Sequence, residues 1–378
     1  MKICTIICEY NPFHNGHSYQ LTKAKALSGA DAVVCVMSGN FVQRGEASIM
    51  DKYTRAKHAV LAGADAVLEL PTVFATANAE LFAKGGVKII SSIPSVTTLC
   101  FGAESDDKNA FIQSAKLLAN EPQEISLNIK ELLQTGVSYA KARALAYEGI
   151  VDTKLLSSPN NILGLEYTKA LLASPVDILP VQRVGKGYND KNLSDNLSSA
   201  TAIRNHLENA EKIKENLPEF VYRDLPKTAG NSLDLLEKYA VLSKSEEDIK
   251  KVCDCTEGLE NAFKKVAING GDFVSELTSQ RYTSSRIKRI ALQNLLGIDE
   301  ALIRSALSST LYLRVLAVNK EKKDLLSALS ESEYPLLLRA HDDEKLSPLA
   351  KRVYEKDLFA EKVYSLLYPN ANKTTPFI

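Results

Sequence analysis

The sequence predicts a doubly wound α/β domain built on a parallel sheet, followed by a mostly helical domain. Three observations carry this expectation. Short, largely apolar runs at Ile3–Cys8, Ala32–Met37, Ala66–Leu70, Thr98–Phe101 and Val176–Val181 have the length and character of strands in a buried parallel sheet. Between the early runs lie amphipathic segments of about a dozen residues, an ordinary helix length, so strand and helix alternate as in βαβ units. Beyond Glu208 the strand-like runs stop, glycines thin out, and helical patterns such as Leu233–Leu242 and Leu325–Leu329 take over. The expected division is therefore 1–208 and 209–378, and a chain of 378 residues is long enough for two domains.

Bulk composition narrows the function. Lys plus Arg (46) balance Asp plus Glu (46), so whole-molecule attraction to nucleic acid is not implied and any RNA contact must come from a local patch. No apolar run approaches the ~18 residues of a membrane span. The apolar start, Ile3–Cys8, is too short for a signal peptide and is followed at once by Glu9. The expected location is cytoplasmic. Six cysteines lack C-x-x-C spacing, and four lie within or at the ends of predicted strands, where Cys acts as a small hydrophobe. Cys253-Asp254-Cys255 is too tight for a usual zinc knuckle. We expect reduced thiols and no protein-built metal site.

The first predicted strand runs into Glu9-Tyr10-Asn11-Pro12-Phe13-His14-Asn15-Gly16-His17. Behind it Tyr19, Leu21, Ala24 and Leu27 recur with helical spacing, and Gly29 ends the run. The His-x-Gly-His tetrad thus falls at a strand-to-helix turn, on the carboxyl edge where open α/β sheets bind ligands. A helix start offers free N–H groups to a phosphate, and two imidazoles one turn apart can donate to the same anion. Gly16 is expected to let that anion approach the backbone. A pair of histidines at a helix start is equally the pattern of a cap, and a metal site would need a third ligand nearby.

The second strand ends in Ser38-Gly39-Asn40-Phe41-Val42-Gln43-Arg44-Gly45-Glu46, a polar loop on the same edge. Ser38, Gly39, Asn40, Gln43 and Arg44 are candidates for a substrate-pocket wall, the alternative being a plain connector. Ser48 with Asp51 resembles a capping box for the next helix. The fourth strand closes on Phe101-Gly102-Ala103-Glu104, where glycine would permit close ligand approach. Residues 106 to 147 look helical, interrupted at Pro122, and Ser158-Pro159-Asn160-Asn161 leads into a further helix.

The fifth strand runs into Gln182-Arg183-Val184-Gly185-Lys186-Gly187, whose cations suit a triphosphate. Leu197-Ser198-Ser199-Ala200-Thr201-Ala202-Ile203-Arg204 then opens a helix. Ser198, Ser199 and Thr201 with free N–H groups would form an anion nest, and Arg204 could fork onto phosphate oxygens. A serine-rich helix start is also an ordinary N-cap. In the second domain, Leu277–Ile298 carries Arg281, Arg286, Lys288 and Arg289 with Tyr282 and no acidic residue. At about 100° per residue Arg281, Lys288 and Arg289 share an arc with Arg286 at its margin, a basic face with an aromatic that RNA could use or that water alone could solvate. Asn370–Ile378 looks like a loose tail.

The Asn-Pro-Phe-His-Asn-Gly-His stretch resembles the first motif of the HIGH-type nucleotidyltransferases, whose histidines contact ATP phosphates. With Ser38–Glu46, Glu69-Leu70-Pro71, Phe101-Gly102, Ser158–Asn161 and Ser199–Arg204 in this order, the chain resembles the bacterial tRNA(Met) cytidine acetate ligase family. The resemblance is strong over the first 205 or so residues and looser beyond. It implies that ATP is held by Ile7, Cys8, Glu9, Tyr10, Asn11, Pro12, Phe13, His14, Asn15, Gly16, His17, Ser18, Tyr19 and Gln20, with Gly102, Asn161 and Arg183; Lys186 competes with Arg183 for its role. It also implies His14 and His17 as catalytic residues, acetate and elongator tRNA(Met) as partners, and Mg²⁺ with the ATP. No Lys-Met-Ser-Lys signature is present; the Ser-Ala-Thr-Ala-Ile-Arg segment stands in its place. Two rival readings are a small-molecule adenylyltransferase of coenzyme synthesis and a non-catalytic RNA-binding protein.

Overall fold

The computed structural model describes residues 1–184, 193, 196–226, 230, 232–369 and 377–378. Nine strands are found there: β1 Ile3–Cys8, β2 Ala32–Ser38, β3 Phe41–Val42, β4 Glu46–Ala47, β5 Ala66–Leu70, β6 Val96–Ala103, β7 Asp177–Gln182, β8 Leu313–Val318 and β9 Leu336–Leu337. Seven form one sheet in the order β7-β6-β1-β2-β5-β8-β9, and β3 with β4 makes a small hairpin. The five strands expected from the sequence are the five parallel ones. The chain steps outward from β1 through β2 to β5, then returns to β6 on the other side of β1. That reversal opens a crevice between the carboxyl ends of β1 and β6.

Side chains of successive strand residues point to opposite faces, and here both faces are covered. Ile3, Ile7, Ala32, Val34 and Val36 belong to one core, while Cys4, Ile6, Val33, Cys35 and Met37 belong to the other. Helices Asn15–Ser28 and Lys52–Leu61 cover the second core, and helices Ala79–Ser91, Pro159–Leu171 and Pro348–Leu367 cover the first. The Lys52–Leu61 helix is capped by Asp51, whose carboxylate accepts from Tyr53 and Thr54 N–H. Ser48 does not cap it: its hydroxyl bonds the Asn40 and Met50 carbonyls.

The second half is mostly helical, but its expected lack of strands needs correction. Leu313–Val318 pairs antiparallel with β5, and β9 extends the edge. A six-residue run that is apolar except for Arg314 is a weak strand signal among helices, and pairing with β5 decides it. Ile378 is likewise pinned: its N–H donates to Val318 O at 3.0 Å, and its oxygen accepts from Lys320 N–H at 3.0 Å. A third core, including Val241, Ile249, Leu259, Phe263, Phe273, Ile287 and Ile290, belongs to a helical unit. Helix Ser284–Leu296 joins it to the sheet, placing Ile287 and Ile290 in that core and Leu292 and Leu296 in the first. The cores therefore cross residue 208 rather than stopping there.

A buried ion network ties the halves together. Lys52 Nζ bonds both Glu69 oxygens, at 2.5 and 2.6 Å, and Glu361 at 2.6 Å. Arg314 bonds Glu69 at 3.0 Å and Glu361 at 2.8 Å. Removing one partner of a buried pair leaves an uncompensated charge and costs about 3–5 kcal/mol. Lys52→Met should therefore lower the denaturant midpoint by an amount on that scale. Lys84→Met, breaking the exposed Lys84–Glu80 pair, should change stability by about 0–1 kcal/mol. Equal shifts in the two unfolding curves would remove the network from any stabilising role.

Candidate active site

The turn after β1 puts Tyr10 at φ 49° and joins Asn11 to Pro12 by a cis peptide. His14 then caps helix Asn15–Ser28: its Nδ1 accepts from Gly16 N–H at 3.1 Å. His17 reaches back, its Nδ1 accepting from His14 N–H at 3.3 Å. The two rings stack with centroids 3.7 Å apart. Burial pushes the His14 imidazole down to about 3, with Arg183 and Arg204 adding to the effect. Burial, then His14 and Arg183, lower His17 well below its ordinary range. Both rings are therefore neutral at pH 7. A neutral imidazole carries one donor and one acceptor nitrogen, and each Nδ1 is already an acceptor. The geometry assigns the proton to Nε2 in both, making His14 and His17 hydrogen-bond donors.

Gly16 has a different local reason from the one expected. A Cβ there would lie 2.9 Å from His14 Cε1, so glycine is needed for the imidazole to fold over its own cap.

His14, His17, Gln20, Gly102 and Arg183 border two connected lobes of one cleft at the carboxyl edge. The smaller lobe adds Gly16, Tyr19, Val181, Gln182, Val184, Leu197 and Ser198. The larger adds a polar wall, Glu9, Asn11, Gln43, Arg44, Thr201 and Arg204, and an apolar one, Ile7, Val42, Phe82, Phe101, Leu163 and Tyr167. Arg204 is fastened by Nη1 to Asn11 O at 2.7 Å and by Nη2 to Thr201 Oγ1 at 3.3 Å. Glu9 accepts from Gln43 N–H at 2.7 Å. Burial raises the Glu9 carboxyl above its ordinary range, against the opposing effects of the Gln43 hydrogen bond and of Arg204, Arg44 and Arg55.

Comparison with known proteins is decisive at this point. Residues 1–376 match the HIGH Nucleotidyl Transferase family. A protein of Acetivibrio thermocellus named tRNA(Met) cytidine acetate ligase is 37% identical, over 98% of this chain and 96% of its own length. One of Clostridium perfringens with the same name is 35% identical over 100% and 98%. The chain belongs to the tRNA(Met) cytidine acetate ligase family. Among solved structures, apo Thermotoga maritima TmcAL superimposes with a TM-score of 0.91 at 31% identity, covering 100% of this chain and 99% of that one. The same protein bound with alpha-thio ATP gives 0.86 at 31% identity, over 98% and 95%.

Against this acetate ligase background, the expected site residues divide. Ile7, Cys8, Glu9, Tyr10, Asn11, His14, Gly16, His17, Tyr19, Gln20, Gly102, Arg183, Ser198, Thr201 and Arg204 line the cleft. Pro12, Phe13, Asn15, Ser18, Asn161 and Ser199 are not among its lining residues. Phe13 is fully buried, and the Asn15 amide donates to the Asn196 and Glu215 carbonyls. Asn161 is spent on the scaffold, accepting from Glu104 N–H at 2.9 Å and donating to Lys154 O at 3.0 Å. Its neighbour Asn160 lines the cleft, its amide donating to Glu104 Oε1 at 2.8 Å. The Ser199 hydroxyl caps helix Ala200–Asn205. Lys186 lies outside the described residues.

In the loop after β2, Gln43 and Arg44 reach the cleft, but Ser38, Gly39 and Asn40 do not. Ser38 and Asn40 are buried. Their strand end is held by Arg55, whose guanidinium donates to the Ser38 and Gly39 carbonyls, while Asn40 Oδ1 accepts from Lys52 N–H. Sequence reasoning missed Arg55 because an arginine in an amphipathic helix normally reads as surface. It also missed Phe82, Leu163 and Tyr167, which nothing in their own helices marks as more than core.

The basic face at 281–289 is partnered from other elements, three of its four cations by carboxylates. Arg281 pairs with Glu257 at 2.7 Å, and Lys288 with Glu46 at 2.5 Å. Arg286 donates to the Asp254 carbonyl and Thr256 hydroxyl. Arg289, largely buried, lies 3.7 Å from Asp254. No acid occurs within the segment, but tertiary packing supplies Glu46, Asp254 and Glu257.

Neutral buried histidines make stability depend on pH. An unfolded His binds its proton below about 6.5, whereas folded His14 does so only near 3. Between these values the unfolded state holds more protons, so stability is greatest above pH 6.5 and falls as pH drops toward 3. His14→Ala should make this fall shallower, as followed by unfolding midpoints between about pH 4 and 7. An unchanged slope would mean that His14 is not held neutral.

Proposed function

We propose that this protein is an ATP-dependent ligase that activates acetate as acetyl-adenylate and transfers the acetyl group to N4 of a cytidine in tRNA(Met). The observation that carries it is the pair of Nε2–H donors on His14 and His17, beside Arg183 and Arg204 at the sheet's carboxyl edge. Their setting is a chain that aligns from end to end with named acetate ligases. The target is the wobble cytidine of elongator tRNA(Met), which becomes N4-acetylcytidine, and the setting is the cytoplasm.

The first step is a displacement at phosphorus. An acetate oxygen attacks the α-phosphate of ATP, the bond to the bridging oxygen breaks, and pyrophosphate leaves. Positioning and charge stabilisation do most of the work. The two imidazole N–H groups stabilise charge as it moves toward the pyrophosphate, and Arg183 and Arg204 counter the triphosphate. Ser198 and Thr201 complete the phosphate surround. The apolar wall of the larger lobe suits the acetyl methyl and the cytosine ring. Among the described residues no group of three or more His, Cys, Asp or Glu side chains could hold a metal. Mg²⁺ bound with ATP would supply charge neutralisation of the phosphates.

A coenzyme-forming adenylyltransferase would leave the helical unit without a task, and a non-catalytic reading would leave the paired donors without one. Labelled ATP with candidate acids separates the three: acetyl-adenylate, a dinucleotide-like product, or no turnover. For His17→Ala we expect acetate-dependent adenylate formation to fall about 10²–10³-fold. Chemically made acetyl-adenylate should partly restore cytidine acetylation, because the second step does not break the α–β phosphate bridge. Absence of rescue with tRNA binding intact would mean that His17 also serves acyl transfer.

The helical unit is the proposed RNA-facing part. Arg281, about half exposed, is the member of the basic segment best placed to exchange its carboxylate partner for a phosphate. Arg281→Ala should reduce the slope of log affinity against log salt for tRNA by about one, with acetate-dependent ATP cleavage unaffected. An unchanged slope would move the RNA contact to another surface.

A further inference from the structure

The second step needs a proton acceptor. When a cytidine N4 amine attacks the acetyl carbonyl, a C–N bond forms and the carbonyl–O bond to AMP breaks. The bonding pair leaves on the AMP phosphate, and the nitrogen must shed one proton to become an amide. Among the described residues lining the cleft, the candidate acceptors at neutral pH are few. Arginines are not bases. The Cys8 thiol and the buried Tyr10 phenol are held protonated by desolvation first, with Cys35 adding to it. His14 and His17 are neutral, but each Nδ1 accepts a backbone N–H, so what remains at Nε2 is a donor.

That leaves one carboxylate. We propose that Glu9 is the general base that takes the N4 proton during acyl transfer, a role that rests on the acetyl-adenylate reading above. Glu9, His14, His17 and Arg204 line the same lobe of the cleft, so the carboxylate and the phosphate-side donors face one space. Gln43 N–H holds Glu9 Oε1 at 2.7 Å, which fixes the carboxyl group while leaving it a second oxygen. The Gln43 loop is itself docked: a Cβ on Gly45 would lie 2.5 Å from Arg289 N, and Glu46 pairs with Lys288 at 2.5 Å. The base is thus positioned by a hairpin braced on the helical unit. Its raised ionisation range suits the task, since a general base works best when its pKa lies near the working pH.

The test is single-turnover transfer from chemically made acetyl-adenylate to a tRNA(Met) transcript, read as N4-acetylcytidine by mass spectrometry across pH. Pyrophosphate exchange with acetate and ATP reports the first step alongside. For Glu9→Gln we expect transfer to fall about 10²–10⁴-fold and to lose its rise with pH, with pyrophosphate exchange reduced by a smaller factor. Glu9→Asp keeps the charge and should restore part of the transfer and its pH dependence, which a merely structural role would not predict. Transfer by Glu9→Gln at close to the parent rate would overturn the proposal and leave AMP or water as the acceptor. An equal fall in both steps would also overturn it, making Glu9 a nucleotide-positioning residue. If the parent itself neither forms nor uses acetyl-adenylate, the functional reading fails, and this role with it.

Discussion

The cleft depends on one buried guanidinium. Arg55 is fully buried, and its hydrogen-bond partners are main-chain carbonyls: Met50 by Nε, Glu9 and Ser38 by Nη1, and Gly39 by Nη2. Three of these carbonyls, of Glu9, Ser38 and Gly39, lie at or just beyond the carboxyl ends of β1 and β2, and the fourth, of Met50, lies just before the helix that carries Arg55. An unpaired buried charge is very costly, but a guanidinium's planar fork can meet several acceptors at once. Burial lowers the Arg55 pKa, and the negative ends of nearby groups such as Asp51 and Glu9 oppose that.

The same helix supplies a second buried cation one turn earlier. Lys52 and Arg55 are three residues apart and so share a face, yet they do different work. Lys52 enters the network with Glu69, Arg314 and Glu361 that welds β8 and the last helix to the sheet. Tyr312 and Asp357 extend it, with Asp357 accepting from Thr72 N–H and from the Tyr312 hydroxyl. Burial raises the Asp357 carboxyl to about 6, with Glu69 adding to it. Gly39 lies between the two cations, and a Cβ there would meet Glu69 Oε1 at 2.5 Å. The glycine of that loop answers to the scaffold, not to a ligand.

Electrostatics in the cleft follow from this frame. Arg44, Arg183 and Arg204 bring positive charge to a site whose imidazoles are neutral, so anion affinity comes from guanidinium charge and N–H dipoles rather than from imidazolium. A neutral donor pair keeps its hydrogen-bonding role across the physiological range, which a titrating histidine would not. The helical unit reaches the cleft through the β3–β4 hairpin, where Glu46 and Gly45 meet helix Ser284–Leu296 and Gln43 meets Glu9. What that unit binds and what the cleft does are therefore mechanically adjacent.

Local chemistry was legible in the sequence wherever it was also sufficient. Largely apolar runs marked all five mutually parallel strands, because burial on both faces favours apolar side chains and admits a polar one only where a partner meets it, as Lys52 and Arg314 meet Glu69. The His-x-Gly-His spacing placed two rings at one helix start, because the helical period allows nothing else. Asn-Pro-Phe-His-Asn-Gly-His and the ordered motifs after it carried the family. Tertiary structure decided the rest, where partners come from far along the chain. Only packing could set Glu257, Asp254 and Glu46 against the basic segment, or spend Asn161 on Glu104 and Lys154 while turning Asn160 to the cleft. Only the sheet could recruit Leu313–Val318 as a strand, since a short apolar run fits a helix equally well until β5 offers its hydrogen bonds. And only the fold could bury Arg55, since no pattern in its own helix says which carbonyls will need it.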